Sequence, residues 1–158
     1  MRSMPTSLLL AVMLALCAGQ SAAIAQTQQK ARSSQSAQHK LAIQVDENNQ
    51  AIMNLALNNA QNVIDYYKSK NESVDVQIIT FGPGLHMLRA DTSPVKDRIA
   101  QMSLANPNLR FAACMNTRER MAKAEDKEIP IIAEGQSVPS GVVTLMELQA
   151  KGYAYLRP

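Results

Sequence analysis

Residues 109–120 read "LRFAACMNTRER", and this stretch decides the fold. Leu109 to Cys114 form a short, mostly apolar run of the kind found in buried strands. Asn116 then has the residue type of a helix N-cap, and Glu119 follows three positions later, as in an Asn-containing version of the capping box. The sequence therefore predicts a strand that ends at Cys114 and a helix that begins directly after Asn116.

Strands and helices alternate on both sides of this stretch. Two apolar runs upstream are each followed by a helix with regularly spaced apolar residues, and a last helix downstream ends at Gly152. The predicted elements are strands 40–46, 74–81, 109–114 and 153–158, and helices 49–70, from 93, from 117, and from 137 or 140. "EIPIIAEG", residues 128–135, is either a short strand or a loop. This alternation predicts an α/β fold, with a mainly parallel sheet and helices on both faces.

The first helix, residues 49–70, offers two apolar arcs. Asn59 interrupts the main arc, and because an unpaired buried amide costs about 1–3 kcal/mol, we expect its side chain to hydrogen-bond to backbone. Met53 and Leu57 lie off the main arc, and we interpret them as a second apolar face for contact between subunits. The main arc, expected to face the core, contains Ile52, Leu55, Ala56, Ala60, Val63, Ile64 and Tyr67.

The N-terminus has the pattern of a secretory signal peptide. Arg2 precedes an apolar stretch, and small residues lead to Ala25, after which we expect cleavage. Cys17 raises the alternative of a lipoprotein signal, but the large Leu16 stands where that processing site favours a small residue. The sequence therefore predicts that residues 1–25 are removed and that the protein is periplasmic or secreted.

The rest of the chain divides into a tether and one domain. Residues 26–38 are rich in Gln, Ser and Ala and predict a flexible tether. Residues 39–158 are long enough for one domain with its own core, and they hold no apolar segment that could span a membrane. The formal net charge of +3 comes with no basic cluster, so we expect no nucleic-acid partner. There is also no cysteine pair of the kind that binds metal.

Cys114 is the one cysteine expected in the mature chain. In an oxidising compartment a single cysteine is buried and inert, paired between chains, or reactive. The end of a parallel strand, just before a helix N-terminus, is where ligands bind and where backbone N–H groups favour negative charge. Arg118 and Arg120 add positive charge nearby, which Glu119 partly offsets, and together these conditions would lower the thiol pKa. Packing of small residues under a crossing helix would explain Cys114 equally well.

Two further residues are candidates for the site. His86, in the loop after the second predicted strand, would act as a base for Cys114 if their strands are neighbours, and a solvated loop histidine is the alternative. Arg89 would bind an anionic donor, and a salt bridge with Asp91 or another carboxylate is the alternative. The "GPG" at residues 82–84 lacks the Lys-Ser/Thr ending of a phosphate-binding loop, so it indicates only a turn.

Four stretches resemble a known family: "NNAQNVIDYY" (58–67), "ITFGPGLHMLRADTSPV" (79–95), "FAACMNTRERM" (111–121) and "VPSGVVTLMELQAKGYAYLRP" (138–158). Together they resemble the DsrE/DsrF-like family, which includes sulfur-relay proteins. The resemblance implies a DsrE-like α/β fold with flavodoxin-like layering, and homo-oligomers such as trimers or hexamers. It also implies that Cys114 corresponds to the cysteine that carries a persulfide sulfur in the relay members.

These observations lead to one hypothesis and one alternative. As an exported sulfur-relay protein, the chain would accept a sulfane sulfur on Cys114 from a donor and pass it to an acceptor. Its possible partners are therefore a sulfur-donor protein and a sulfur-acceptor protein. The N–H groups around Asn116 and Thr117, aided by Arg118, would stabilise the anionic sulfur without a cofactor. Such a chain is a sulfur carrier or sulfurtransferase-like subunit rather than a turnover enzyme. The alternative is a non-catalytic oligomeric binding or accessory protein in which the cysteine is structural.

Overall fold

The computed structural model describes residues 39–158. The expected signal peptide, residues 1–25, and the expected tether, residues 26–38, lie outside the described residues, so both stay predictions. Within the described part of the chain, no helix is long and apolar enough to cross a membrane.

Five strands and four α-helices alternate along residues 39–158. The strands are β1 (His39–Val45), β2 (Val74–Thr80), β3 (Leu109–Cys114), β4 (Gly135–Val138) and β5 (Ala154–Leu156), and the helices are α1 (Gln50–Ser69), α2 (Lys96–Ala105), α3 (Met115–Glu125) and α4 (Gly141–Ala150). A 3₁₀ segment, Gly82–Leu88, follows β2. The sheet order is β4-β3-β2-β1-β5, and all neighbouring strands are parallel. This confirms the α/β fold that the alternation of the sequence predicts.

The two faces of the sheet are covered by different helices, because successive side chains of a strand point to opposite faces. Ile78 of β2 belongs to the larger core cluster, which also holds buried residues of α1 and α2. Its neighbour Ile79 belongs to a smaller cluster under α4, together with two alanines of the adjacent strands, Ala42 and Ala112. Leu145 of α4 packs there. Helices therefore lie on both faces of the sheet.

The buried arc of α1 differs from the one expected. Met53 and Leu57 are 0% exposed and belong to the core, whereas Leu55 is 43% exposed. The interpretation of Met53 and Leu57 as a subunit-contact face is therefore wrong. Asn59 is half-buried at the edge of this arc. Since the apolar residues of α1 fit two overlapping arcs at helical spacing, only the position of the helix over the sheet selects one of them.

Helix α3 begins earlier than the sequence indicates. It starts at Met115, with Cys114 in the N-cap position, so Asn116 lies inside the first turn instead of capping it. The expected capping box with Glu119 is therefore wrong. The physical reason is that β3 stays paired with β4 through Cys114, which lies opposite Val138. The chain passes from strand to helix without an intervening loop.

Candidate functional site

Cys114 lies at the carboxyl end of β3, between β2 and β4 in the sheet. It is a free cysteine, and 4% of its surface is exposed. The position is the one that the sequence predicts, at the edge of a parallel sheet where ligands commonly bind. The low exposure means that a reactant must be small or that the neighbouring segments must move to admit it.

The surroundings of Cys114 change the acidity of its thiol. Burial raises the pKa, but hydrogen bonding from the Thr117 hydroxyl and from the backbone N–H groups of Gly141, Thr117 and Asn116 lowers it by more, so the pKa lies below its ordinary value. The sulfur makes no N-cap hydrogen bond of standard geometry, so these contacts are weak individually. Their sum favours the thiolate.

Thr117 is oriented by a residue from another segment. The backbone N–H of Gly82 donates to the Thr117 hydroxyl oxygen at 3.0 Å. Because this oxygen accepts from Gly82, the hydroxyl hydrogen is free to point to the sulfur of Cys114. Gly82 has φ +50, a left-handed conformation that side chains other than glycine rarely adopt. The turn after β2 therefore helps to set the chemistry at the end of β3.

Gly141 brings a second helix N-terminus to the thiol. It is the first residue of α4 and is buried against Phe81. A Cβ atom at this position would lie 2.8 Å from Cδ1 of Phe81, closer than packed atoms allow. The Asn116 N–H also donates to the Pro139 carbonyl at 3.3 Å, which ties the segment before α4 to the first turn of α3. Two helix N-termini thus face one sulfur atom.

His86 lies in the 3₁₀ segment and lines a cleft that Thr117 also lines. One of its ring nitrogens, Nδ1, is 3.0 Å from the Thr92 hydroxyl oxygen. Burial, followed by the charge of Arg89, lowers the pKa of His86 below its usual value. The imidazole is therefore neutral at neutral pH, as a general base must be.

Arg89 and Arg118 are both engaged with other protein groups. Arg89 is 1% exposed and donates to the carboxylates of Asp91 and Glu125. The sequence offered two roles for Arg89, and the structure shows the salt bridge with Asp91. Because the Arg89 side chain is buried and paired, it presents no exposed surface to an anionic donor. Arg118 donates to the carbonyl of Ile129 at 2.7 Å and to Glu128 at 2.8 Å. The main groups that lower the pKa of Cys114 are instead the Thr117 hydroxyl and backbone N–H groups.

The cleft beside Thr117 has a volume of about 390 Å³. It is an open cleft at the carboxyl edge of the sheet, between the segments that follow β1 and β2 and one side of α3. Its lining residues are Asn48, Gly82, Pro83, His86, Thr117, Arg120, Met121 and Ala124. Four lining residues recur at helical spacing on α3: Thr117, Arg120, Met121 and Ala124. This spacing is present in the sequence, but it identifies the cleft only once this side of α3 is known to face the sheet edge.

Sequence reasoning found part of this site and missed the rest. Cys114, Asn116 and Thr117 come together at the predicted sheet edge, and His86 lies with Thr117 at the adjoining cleft. Arg120, expected as positive charge near the thiol, lines this cleft, whereas Gly141 was not assigned to the site. In residues 39–158, no group of three or more His, Cys, Asp or Glu side chains is arranged to hold a metal ion.

Comparisons with known proteins bear on the fold of the chain. No family model matches the chain, and no curated protein matches it. Among solved structures, the chain is similar to the protein of unknown function MTH1491 from Methanobacterium thermoautotrophicum, with 25% identity and a TM-score of 0.63. The match covers 76% of this chain and 99% of that one. It agrees with the parallel α/β architecture.

Proposed function

We propose that the protein carries a sulfane sulfur as a persulfide on Cys114. One observation carries this proposal: backbone N–H groups from two helix N-termini and the Thr117 hydroxyl lower the pKa of a single free cysteine at the ligand-binding edge of the sheet. The resemblance to the DsrE/DsrF-like family supports the same chemistry. The proposed role is that of a sulfur carrier or sulfurtransferase-like subunit.

The sulfur transfer proceeds in two displacement steps. The Cys114 thiolate attacks the outer sulfur of a sulfane-sulfur donor, a new S–S bond forms, and the donor's old S–S bond breaks with its electron pair leaving on the donor. With thiosulfate, the leaving group is sulfite. An acceptor thiolate then attacks the terminal sulfur of the Cys114 persulfide, which releases the Cys114 thiolate and yields the acceptor persulfide. Electrons and atoms balance, and no oxidant is consumed.

The residues around Cys114 support both steps through charge stabilisation. Cys114 is the leaving group when the acceptor attacks, and a thiol of lower pKa leaves faster. The N–H groups of Gly141, Thr117 and Asn116 stabilise negative sulfur before and after transfer. Neutral His86 lines the adjoining cleft and can take up a proton from a donor or acceptor thiol bound there.

The low exposure of Cys114 favours a second candidate function. Free cysteines are often buried as small apolar residues of the core, and Cys114, between β3 and the start of α4, fits that structural role as well. In that case the protein is an oligomeric binding or accessory protein, and the thiol never bears sulfur. The two functions differ in whether the folded, reduced protein takes up sulfur.

The experiment uses the chain from Gln26, which contains no cysteine other than Cys114. The reduced protein is incubated with an inorganic polysulfide and its intact mass is measured. We expect one added sulfur atom, removed by a reductant, and no addition to Cys114→Ser with an unchanged circular dichroism spectrum. If the folded wild-type protein takes up no sulfur, the carrier function is wrong and the structural role of Cys114 remains.

We also propose that the chain is exported and forms a homo-oligomer, such as a trimer or hexamer. Export rests on the signal-peptide pattern that ends at Ala25, and N-terminal sequencing of the exported protein should give Gln26 as the first residue. Self-association is supported by the exposed apolar side chains of α4, Val142, Val143 and Met146.

A further inference from the structure

A cleft lies between the 3₁₀ segment and α3, and Thr117 is among its lining residues. We propose that this cleft binds an organic anion that bears the sulfane sulfur, such as a thiosulfonate or a persulfide with an acidic group. This inference rests on the proposed sulfur-carrier function and adds to it the class of donor. The cleft meets the thiol site at Thr117, which lines the cleft and donates to Cys114.

The charge of the lining residues favours an anion. Arg120 is exposed, lines the cleft, and forms no ion pair with any residue of the described chain 39–158. Among residues 39–158, no aspartate or glutamate lines the cleft. Asn48 and the neutral His86 add hydrogen-bonding groups without adding negative charge. The guanidinium of Arg120 is therefore a cation in the cleft that the carboxylates of the described residues leave free.

The apolar residues of the cleft favour an organic donor over a fully inorganic one. The apolar part of the lining consists of Pro83, Met121 and Ala124. Met121 also packs against the larger core cluster. The volume of about 390 Å³ lies at the lower end of the range of small-molecule sites. Thiosulfate has no apolar surface with which to replace water on these walls. A short apolar group joined to an anionic sulfur group matches both parts of the lining.

The reaction with such a donor keeps atoms and electrons in balance. The Cys114 thiolate attacks the outer sulfur of a thiosulfonate, the S–S bond of the donor breaks, and a sulfinate leaves with the electron pair. The product is the Cys114 persulfide. Arg120 has the role of binding the anion, and it takes no part in the bond changes.

The test measures the rate of persulfide formation on Cys114 against the concentration of benzenethiosulfonate, with thiosulfate as a second donor. We expect saturation with benzenethiosulfonate, at a half-saturating concentration well below that of thiosulfate. Arg120→Gln should raise that concentration about fivefold, the effect of losing about 1 kcal/mol of a partly exposed charge contact. Arg120→Lys should recover part of the loss.

Two controls make the result specific to the cleft. Lys123→Gln removes the same charge from α3 outside the lining of the cleft and should leave the half-saturating concentration unchanged. Alkylation by neutral iodoacetamide should be the same in Arg120→Gln and wild type. If benzenethiosulfonate reacts without saturation, or Arg120→Gln and Lys123→Gln behave alike, the cleft proposal is wrong while the carrier function stands. If no donor forms the persulfide, the carrier function itself is wrong.

Discussion

Gly82 donates its backbone N–H to the Thr117 hydroxyl at 3.0 Å, and this bond joins the turn after β2 to the first turn of α3. The same hydroxyl lowers the pKa of Cys114. A chain of donors thus runs from Gly82 through Thr117 to the sulfur, so each donor is held in place by the one before it. Such preorganised donors stabilise an anion without having to reorient when the charge forms.

The first prediction concerns the pH dependence of thiol reactivity in the wild-type protein. Since the pKa of Cys114 is lowered, alkylation by iodoacetamide should reach half its maximal rate at a lower pH than in a peptide with an unperturbed cysteine. Stopped-time mass spectrometry across pH 5–10 measures this midpoint. A midpoint at or above that of a cysteine-containing peptide, measured in parallel, contradicts the lowered pKa.

Removal of the Thr117 hydroxyl should raise the pKa of Cys114. In Thr117→Val, the raised pKa reduces the thiolate fraction at neutral pH by more than it increases the intrinsic nucleophilicity of the thiolate, so alkylation at neutral pH should slow about threefold. The Gly82 N–H also loses its acceptor, which should cost about 1–3 kcal/mol of unfolding free energy.

Thr117→Ser is the matched control for this change because it keeps the hydroxyl. It should retain the wild-type pH midpoint. Denaturant unfolding measures the change in stability, and the pH profile of alkylation measures the change in thiol pKa. An unshifted pH midpoint in Thr117→Val would show that the hydroxyl does not act on the sulfur.

Addition of one methyl group to Gly141 should disturb the second helix N-terminus. The new Cβ of Gly141→Ala meets the Phe81 ring at 2.8 Å, so the start of α4 must move and its N–H must leave the sulfur. We expect a raised thiol pKa and a loss of about 1–3 kcal/mol of stability from overpacking. In the double variant with Phe81→Ala, the ring is absent and the pH midpoint should return towards that of Phe81→Ala alone. Equal midpoints in Gly141→Ala and wild type would rule out this contact.

The acidic partners of Arg89 should make the fold sensitive to acid. Hydrogen bonding from Arg89 lowers the pKa of Glu125 to about 2, from an ordinary value of 4.5. A carboxylate with a lowered pKa in the folded state contributes stability that is fully present above its unfolded pKa and is lost as the pH falls through its folded pKa. Stability should therefore decline between about pH 4.5 and 2, measured by urea unfolding at each pH.

Glu125→Gln should weaken this decline because it removes one of the titrating partners of Arg89. Glu119→Gln removes the same charge from an exposed position of α3 and should leave the pH dependence as it is in wild type. If the two variants unfold with the same pH profile, the ion pair of Glu125 does not contribute to acid stability.

Self-association should depend on the outer face of α4. Met146, 64% exposed, lies there with Val142 and Val143, and burial of these side chains in a subunit contact removes apolar surface from water. Met146→Glu should shift the protein towards the monomer in light scattering at micromolar concentration. Leu104→Glu changes an exposed apolar residue of α2 and should not alter the mass. A wild-type monomer would end the homo-oligomer proposal.

Local sequence patterns predicted the order of four strands and four helices and the place of the thiol, whereas β4 (Gly135–Val138) was not assigned. Strands alternate with amphipathic helices over residues 39–158, and such local periodicity reports the elements without knowledge of their neighbours. For the same reason the end of β3 could be placed at Cys114, and the sheet could be expected to be parallel. These features depend on residues that are close together in the chain.

The groups that surround the thiol, and the helix faces that are buried, depend on contacts between residues distant in sequence. Gly82 and Gly141 lie far from Thr117 and Cys114 in sequence, and the sheet order brings them together. Arg118 is adjacent to Thr117 in sequence, yet its guanidinium donates to the carbonyl of Ile129 and to Glu128. Helical periodicity fixes the spacing of side chains but not the direction in which a helix is turned, because that direction is set by packing against strands from elsewhere in the chain.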